Sequence, residues 1–170
     1  MEYLLIDAYN VINAWGDIFD LENESLEDCR DKFLNMISNY QGYKDINVIV
    51  VFDAHHVKGS KEKREAFDNI TVVYTKENET ADNFIERFVY LMGDKNTVKV
   101  VTSDYLEQTT ILRKGGIRVL PRELKEEMKL VSKNSKIEKV KDNDKKINTI
   151  MSNINKDILD KLEKMRRNKF

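Results

Sequence analysis

The sequence predicts an α/β fold, of the three-layer kind with a mostly parallel central sheet of about five strands, and two features of the chain indicate this. Short runs rich in β-branched residues recur five times in the first 120 positions, and most are continuously apolar, as in strands that are buried on both faces. Segments with apolar residues at helical spacing separate these runs, so strand and helix alternate. The five predicted strands are Tyr3–Ile6, Asn47–Phe52, Ile70–Tyr74, Thr97–Thr102 and Ile117–Leu120.

The predicted helices have recognisable ends. Ser25 precedes apolar residues at helical spacing that continue to residue 40, and an acidic residue follows it three positions later, as at a helix cap. Thr80 is expected to cap the helix before the fourth strand. A third helix is predicted over Asp104–Arg113, because a pair of glycines follows it as a typical helix end. Glu123–Val131 is predicted to form a short helix as well.

Charge and pattern divide the chain into two predicted domains, residues 1–130 and residues 131–170. Residues 1–132 carry 17 Lys and Arg against 24 Asp and Glu, whereas residues 133–170 carry 12 against 6. The second part is predicted to be a basic linker, over 134–144, followed by an amphipathic helix that packs on the first domain or extends it. Its positive charge suits either contact with a polyanion or a simple solvated surface.

Nothing in the sequence predicts export or membrane insertion. Cys29 is the only cysteine, which excludes a disulfide framework and a thiolate metal cluster. The longest apolar run, Val48–Phe52, has the length of a strand, and the N-terminus lacks the pattern of a signal peptide. We therefore expect a cytoplasmic protein without a membrane partner.

Acidic residues follow three of the predicted strands. Asp7, Asp53 and Asp104 come directly after or close to the first, second and fourth strands, and Asp82 begins the helix after the third. The carboxyl ends of parallel strands share one edge, where ligands bind. Each acid taken alone could be an ordinary turn residue or helix cap, Asp104 above all. Together they predict a shared site, to which Asn10 adds an amide group.

Several carboxylates at one edge need a cation, because like charges at close range are costly. Carboxylate oxygen is the ligand type that Mg²⁺ and Mn²⁺ prefer. Such a site can activate water for hydrolysis of a phosphodiester. In this interpretation Asp7 and Asp104 bind the metal, Asp82 is a ligand or the base that orients water, and Asp53 is a ligand or supports one.

Other chemistries have less support. The sequence has no dinucleotide-binding glycine pattern, no P-loop and no nucleophile elbow, so we expect no organic cofactor. The two histidines, His55 and His56, are adjacent rather than spaced as zinc ligands.

Four segments together resemble the YacP-like branch of the NYN domain ribonucleases, which are relatives of PIN domains. They are Asp7–Ile12, Val50–Ala54, Thr75–Asp82 and Thr102–Gln108, and the resemblance fades after about residue 130. It implies a PIN-like fold and Mg²⁺- or Mn²⁺-dependent cleavage of RNA. For this branch it also implies association with the ribosome and cleavage of mRNA during translation.

The family pattern assigns catalytic residues to this chain. The chain departs from it at Ala8, where glycine is usual, and we expect the added methyl group to shift the loop beside Asp7 slightly without abolishing metal binding. The catalytic residues that the resemblance implies are Asp7, Asn10, Asp53, Asp82 and Asp104, of which Asp7, Asp82 and Asp104 are the expected metal ligands.

RNA or ribosomal RNA requires cationic contacts to phosphate. The segment after Asp53 is rich in basic residues and should border the catalytic edge. A basic residue also precedes Glu79, and others lie at the end of the C-terminal helix. The candidates for binding RNA or the ribosome are Lys58, Lys61, Lys63, Arg64, Lys76, Arg166 and Arg167.

Two other functions remain open. A ribosome- or RNA-binding module without catalysis would use the same basic residues. A phosphotransfer domain would use Asp53 as its nucleophile, but the second aspartate expected two residues after Asp7 is replaced by Tyr9. The expected partners are mRNA and the ribosome, and the expected state is a monomer.

Overall fold

The computed structural model describes residues 1–54 and 58–134. The chain forms two compact units, Met1–Lys129 and Leu130–Phe170, and of the second only residues 130–134 are described. The predicted linker after residue 134 and the amphipathic C-terminal helix lie outside the described residues. The domain boundary at residue 130 therefore stays a prediction.

Strands and helices alternate along the first unit. A fifth helix, α5, covers residues 121–134. The other elements, in chain order, are β1 (Glu2–Asp7), α1 (Ala8–Ala14), α2 (Leu26–Gln41), β2 (Asn47–Phe52), β3 (Lys63–Phe67), β4 (Ile70–Tyr74), α3 (Ala81–Met92), β5 (Thr97–Val101), α4 (Tyr105–Arg113) and β6 (Ile117–Val119).

The six strands form one sheet in the order β3-β4-β2-β1-β5-β6. Every pairing is parallel except that of β3 with β4. The register aligns Asp7 with Val51 on one side of β1, and Ile6 with Val101 on the other. The carboxyl ends of the three central strands therefore meet at one edge, as predicted, and the α/β class with a mostly parallel sheet is confirmed.

The central strands are buried on both faces, which explains their continuous apolar sequence. On one face, Leu5, Val51 and Val73 pack with residues of α3 and with Ile111 of α4. The alternating residues on the other face, such as Ile6, are also buried. Within the described ranges no helix has the length and apolar character needed to cross a bilayer.

The predicted helix caps are confirmed. The side chains of Ser25, Thr80 and Asp104 accept hydrogen bonds from backbone N–H groups of the first turns of α2, α3 and α4. Such caps satisfy donors that the helix itself leaves unpaired. They matter for function because α3 and α4 begin at the carboxyl edge of the sheet.

Two elements were not predicted. The segment of β3 carries charges and only one large apolar residue, because it is an edge strand that exposes much of its surface. Lys63 and Arg64, in the basic segment after Asp53, were expected in a loop and lie instead in this strand. Helix α1 begins directly after β1 and has only seven residues, which is too short to show helical periodicity.

Candidate metal centre

Three carboxylates from three elements come together at the carboxyl edge of the sheet. Asp7 ends β1, Asp82 lies in the first turn of α3, and Glu107 lies in the first turn of α4. One oxygen of each lies within 4.8 Å of the others. Asp7 is 9% exposed and Glu107 only 2%, so the group is largely withdrawn from water. We call these three residues the acidic cluster.

Asp7 has two structural roles at the junction of β1 and α1. It is the N-cap of α1, and its Oδ1 accepts a hydrogen bond of 3.3 Å from the backbone N–H of Asn10. Burial raises the pKa of Asp7 to about 7, and the charges of Asp82, Asp53 and Asp104 act in the same direction against that hydrogen bond. Without a cation this carboxylate is costly in its ionised form.

Glu107 is the most deeply buried member of the acidic cluster. Among the described residues, neither of its carboxylate oxygens has a hydrogen-bond partner. Burial raises its pKa to about 8, and the negative charges of Asp82 and Asp7 raise it further. The hydroxyl group of Thr102 lowers it, because that group lies close enough to favour the ionised form although it makes no well-formed hydrogen bond. A buried carboxyl group without well-formed hydrogen bonds is rare in folded proteins, and a bound cation is one arrangement that satisfies it.

Asp82 completes the acidic cluster from α3. Burial raises the pKa of Asp82, and the nearby charge of Asp104 adds to this shift. All three members have a raised pKa for the same reason, because removal from water and mutual repulsion both disfavour the ionised carboxylates.

The donor set fits a divalent metal ion. Three carboxylates supply hard oxygen ligands, which is the ligand type of Mg²⁺ and Mn²⁺ rather than of softer metals. The two oxygens of Glu107, which have no hydrogen-bond partners among the described residues, have lone pairs that could coordinate such an ion. The acidic cluster could therefore hold a metal, and this part of the sequence prediction has structural support.

Asn10, in the first turn of α1, is hydrogen-bonded to the segment that follows β5. Its side-chain Oδ1 accepts hydrogen bonds of 2.8 Å from both the backbone N–H and the hydroxyl group of Ser103. The sequence left open whether this amide offers a carbonyl or a donor. Since the carbonyl is engaged by Ser103, the NH₂ group is the part that remains for a ligand.

Asp53 acts on the backbone of α3. Its Oδ2 accepts a hydrogen bond of 3.4 Å from the N–H of Ala81, the first residue of α3. Asp53 therefore helps to place the neighbouring Asp82, and it also contributes negative charge near Asp7. Whether Asp53 binds the metal or supports a ligand stays a prediction.

Asp104 lies beside the acidic cluster but not within that group of three oxygens. Its side chain is exposed, and its Oδ1 accepts hydrogen bonds from the N–H groups of Leu106, at 2.8 Å, and Glu107, at 3.3 Å. It thus caps α4 and places Glu107. Its predicted role as a metal ligand stays a prediction, whereas Glu107 is a candidate that the sequence analysis missed.

The described basic residues predicted to bind RNA lie near the β3–β4 end of the carboxyl edge. Lys63 pairs with Tyr74 at the carboxyl end of β4, and the N–H of Glu77 donates to the carbonyl oxygen of Ser60, which joins the loops before β3 and after β4. Lys58, Lys61 and Lys76 are exposed on these loops.

Two of the basic side chains are already paired. Lys63 forms an ion pair with Glu65, and Arg64 forms one of 2.6 Å with Glu62. Their availability for phosphate is accordingly lower than that of the three exposed lysines. Arg166 and Arg167 lie outside the described residues. RNA binding by any of these residues stays a prediction.

Ala8, the departure from the family pattern, is completely buried as the first residue of α1. Within the described ranges, the only non-glycine residues with positive φ are Asp68 and Asn78. The backbone at position 8 therefore has a conformation that alanine adopts without strain.

Comparison with known proteins identifies relatives over most of the chain. The model of the YacP-like NYN domain family matches residues 4–167. The protein YacP of Bacillus subtilis (strain 168) is 42% identical over 134 residues, which are 78% of each chain. A crystal structure of Rae1 (YacP) from Bacillus subtilis has a TM-score of 0.71 and 37% identity, and the match covers 99% of this chain and 96% of that one. A second crystal structure, of a point mutant of Rae1, has a TM-score of 0.67 and 38% identity over 79% of each chain.

Proposed function

The chain belongs to the YacP-like NYN domain family, and from this membership and the acidic cluster we propose that it is a divalent-metal-dependent endoribonuclease. Its proposed substrate is mRNA, cleaved in association with the translating ribosome. The observation that carries the proposal is the convergence of three carboxylates at the carboxyl edge of the sheet, with both oxygens of Glu107 buried and lacking hydrogen-bond partners among the described residues.

Asp7, Asp82 and Glu107 would hold the metal, which we propose to be Mg²⁺ or Mn²⁺. When bound, such an ion supplies a Lewis acid and lowers the pKa of bound water, which suits hydrolysis of a phosphodiester. The caps at Asp7 and Asp104 keep the carboxylates in place before substrate arrives. Such preorganisation is a major source of catalytic power.

Other groups at the edge would act on the substrate directly. The NH₂ group of Asn10, whose carbonyl oxygen is engaged by Ser103, would donate a hydrogen bond to a phosphate oxygen. The exposed lysines at 58, 61 and 76 offer cationic contacts for the phosphates of RNA. The hydrogen bond from the N–H of Ala81 to Asp53 joins the start of α3, which carries Asp82, to the end of β2.

The charge distribution supports a substrate delivered by the ribosome. Residues 1–132 carry seven more acidic than basic residues, with 24 against 17. This excess repels free RNA, so we expect weak and salt-sensitive binding to naked RNA. A ribosome that presents the mRNA would supply affinity that the domain lacks.

The decisive experiment is to map mRNA 5′ ends in a translating extract that contains the wild-type protein, Asp7→Asn or the control Asp94→Asn. Asp94 is an exposed residue on the turn before β5, at the opposite edge of the sheet. We expect cleavage with wild type and Asp94→Asn, and its loss with Asp7→Asn. Equal cleavage by a folded Asp7→Asn variant would overturn the proposed site.

Co-sedimentation with ribosomes separates the proposal from the rival function. Ribosome binding by all three proteins without any metal-dependent cleavage would indicate a non-catalytic RNA-binding module instead.

A further inference from the structure

A cleft opens beside the bridge between Asn10 and Ser103. It has a volume of about 340 Å³ and lies at the β5–β6 end of the carboxyl edge. Its lining residues are Ala14, Trp15, Ser103, Leu120, Pro121, Arg122 and Lys125. Ser103 is shared by the cleft and the bridge: it donates to Asn10, whose backbone N–H donates to Asp7. Two hydrogen-bonded steps thus connect the cleft to the acidic cluster.

The floor of the cleft is rigid. Trp15 is 1% exposed, and its indole Nε1–H donates a hydrogen bond of 3.0 Å to the carbonyl oxygen of Pro121. The Trp15 ring stacks on Phe19 and also packs against Phe33. A pocket with fixed walls is available to a ligand without rearrangement, which lowers the entropic cost of binding.

The positive charge of the cleft belongs mainly to Arg122. Lys125 is held by Asp17, with its Nζ 2.6 Å from both carboxylate oxygens, and this pair is nearly neutral. Arg122 is exposed at the start of α5, and it has no salt-bridge partner among residues 1–54 and 58–134. With respect to these residues its guanidinium group is open to an anion, and its planar fork matches a phosphate.

We propose that this cleft binds one nucleotide of single-stranded RNA next to the phosphate that is cleaved, an inference that rests on the proposed function. Arg122 binds the phosphate of that nucleotide, and the apolar wall formed by Ala14 and Pro121 receives its base or ribose. Cationic contacts combined with an apolar platform are the usual means of holding unpaired RNA. The volume lies near the lower limit of about 300–1,000 Å³ for small-ligand pockets, which suits one nucleotide.

The position of the cleft gives the RNA a path across the acidic cluster. The exposed lysines at 58, 61 and 76 lie at the β3–β4 end of the edge, and the cleft lies at the β5–β6 end. From β4 to β6 the path crosses four strand spacings, or about 19 Å at about 4.8 Å each. β1, which carries Asp7, lies midway in this path. A strand held at both ends would therefore place an internal phosphate over the carboxylates.

The first test measures binding of a fluorescein-labelled single-stranded RNA hexamer to the full chain, with Asp7→Asn in every protein to block cleavage. We expect Arg122→Ala to raise the Kd about tenfold and to reduce the slope of log K against log salt by about 0.7, the value for one phosphate contact on a single strand. Arg122→Lys should retain the slope. Arg113→Ala, which changes an exposed arginine at the far end of α4, should alter neither quantity.

If Arg122→Ala has a Kd within about twofold of the parent protein and an unchanged salt slope, the inference is overturned. The absence of binding by the parent protein at low salt, where contacts to phosphate are strongest, would overturn it as well. A loss of affinity in Arg122→Ala without a change in slope would also contradict it, since a contact with phosphate must release counterions.

The second test locates the RNA by crosslinking the hexamer with one 4-thiouridine to the same proteins and mapping the adducts by mass spectrometry. We expect adducts on residues that line the cleft, and a loss of them in Ala14→Leu, which fills the cleft without changing charge. Adducts only elsewhere would overturn the inference. Neither test requires cleavage: cleft adducts would stand even if the wild-type protein cut no RNA. Conversely, Asp7-dependent cleavage that Arg122→Ala leaves unchanged would overturn the cleft and preserve the proposed function.

Discussion

Replacing Asp7 by asparagine should stabilise the metal-free protein at alkaline pH. Folded Asp7 keeps its proton up to a pKa of about 7, whereas its usual value is 3.8, so the unfolded chain releases that proton earlier as the pH rises. Ionisation therefore favours unfolding between these values, and stability is lost as the pH increases. At about 1.4 kcal/mol per unit, the full shift corresponds to about 4 kcal/mol at about pH 8.

The observed gain should be smaller than this limit. Asparagine is a weaker acceptor for the N–H of Asn10, and the folded protein relaxes around an ionised group, so we expect about 1–3 kcal/mol. For a chain of this size that gain raises the Tm by about 3–10 °C. At about pH 5 the gain should fall to about two fifths of its alkaline value, because most of the ionisation cost has not yet appeared.

Thermal unfolding followed by circular dichroism, with chelator present, measures these values for wild type, Asp7→Asn and the exposed control Asp94→Asn. Addition of Mn²⁺ should then make wild type and Asp94→Asn more stable than Asp7→Asn, since these two proteins retain the full acidic cluster and gain stability from the metal. An Asp7→Asn variant with native secondary structure that is no more stable than the control at alkaline pH would refute the reasoning. A gain that is equal at both pH values would refute it too.

The other predictions concern the metal site, the ion pairs of Arg87 and the hydrogen bonds of Asn10. Glu107→Gln should weaken Mn²⁺ binding at least about tenfold by calorimetry, whereas Glu22→Gln, at an exposed loop position, should not; equal affinities would remove Glu107 from the site. Arg87→Met breaks two ion pairs, one with a buried glutamate, and should cost about 1–3 kcal/mol in urea unfolding whether or not metal is present. Asn10→Ala should reduce cleavage more than Ser103→Ala, because the serine backbone N–H still binds Asn10 when its hydroxyl group is lost; the reverse order of activities would contradict this linkage.

The sequence predicted the elements whose pattern reflects burial. β1, β2 and β5 were found because strands buried on both faces are continuously apolar, and α2 and α3 were found from their caps and apolar faces. β3 was not predicted, because an edge strand does not require a continuously apolar sequence. Its pairing with β4 depends on contacts that no local pattern specifies.

The sequence analysis missed Glu107 as a site residue for a different reason. With Asp104 three residues earlier, it completes a pattern that usually marks a capping box, in which the glutamate turns back to the helix cap. Here the cap is made by Asp104 alone, while both oxygens of Glu107 are buried and have no hydrogen-bond partner among the described residues. Helical side chains lean toward the N-terminus of their helix, and α4 begins at the carboxyl edge, so a residue in its first turn reaches the acidic cluster. The direction of the Glu107 side chain predicts a place in the acidic cluster only when the order of the strands, and so the position of α4, is known.

The order of the strands also explains why Asp7 and Asp104 differ, although both follow a strand and cap the next helix. β1 lies in the middle of the sheet, between β2 and β5, so its terminal residue is covered on both sides. β5 has only the three-residue β6 beyond it, and Asp104 remains exposed. Because the electrostatic cost of a carboxylate depends on burial, the same local motif gives a strained site at Asp7 and an ordinary cap at Asp104.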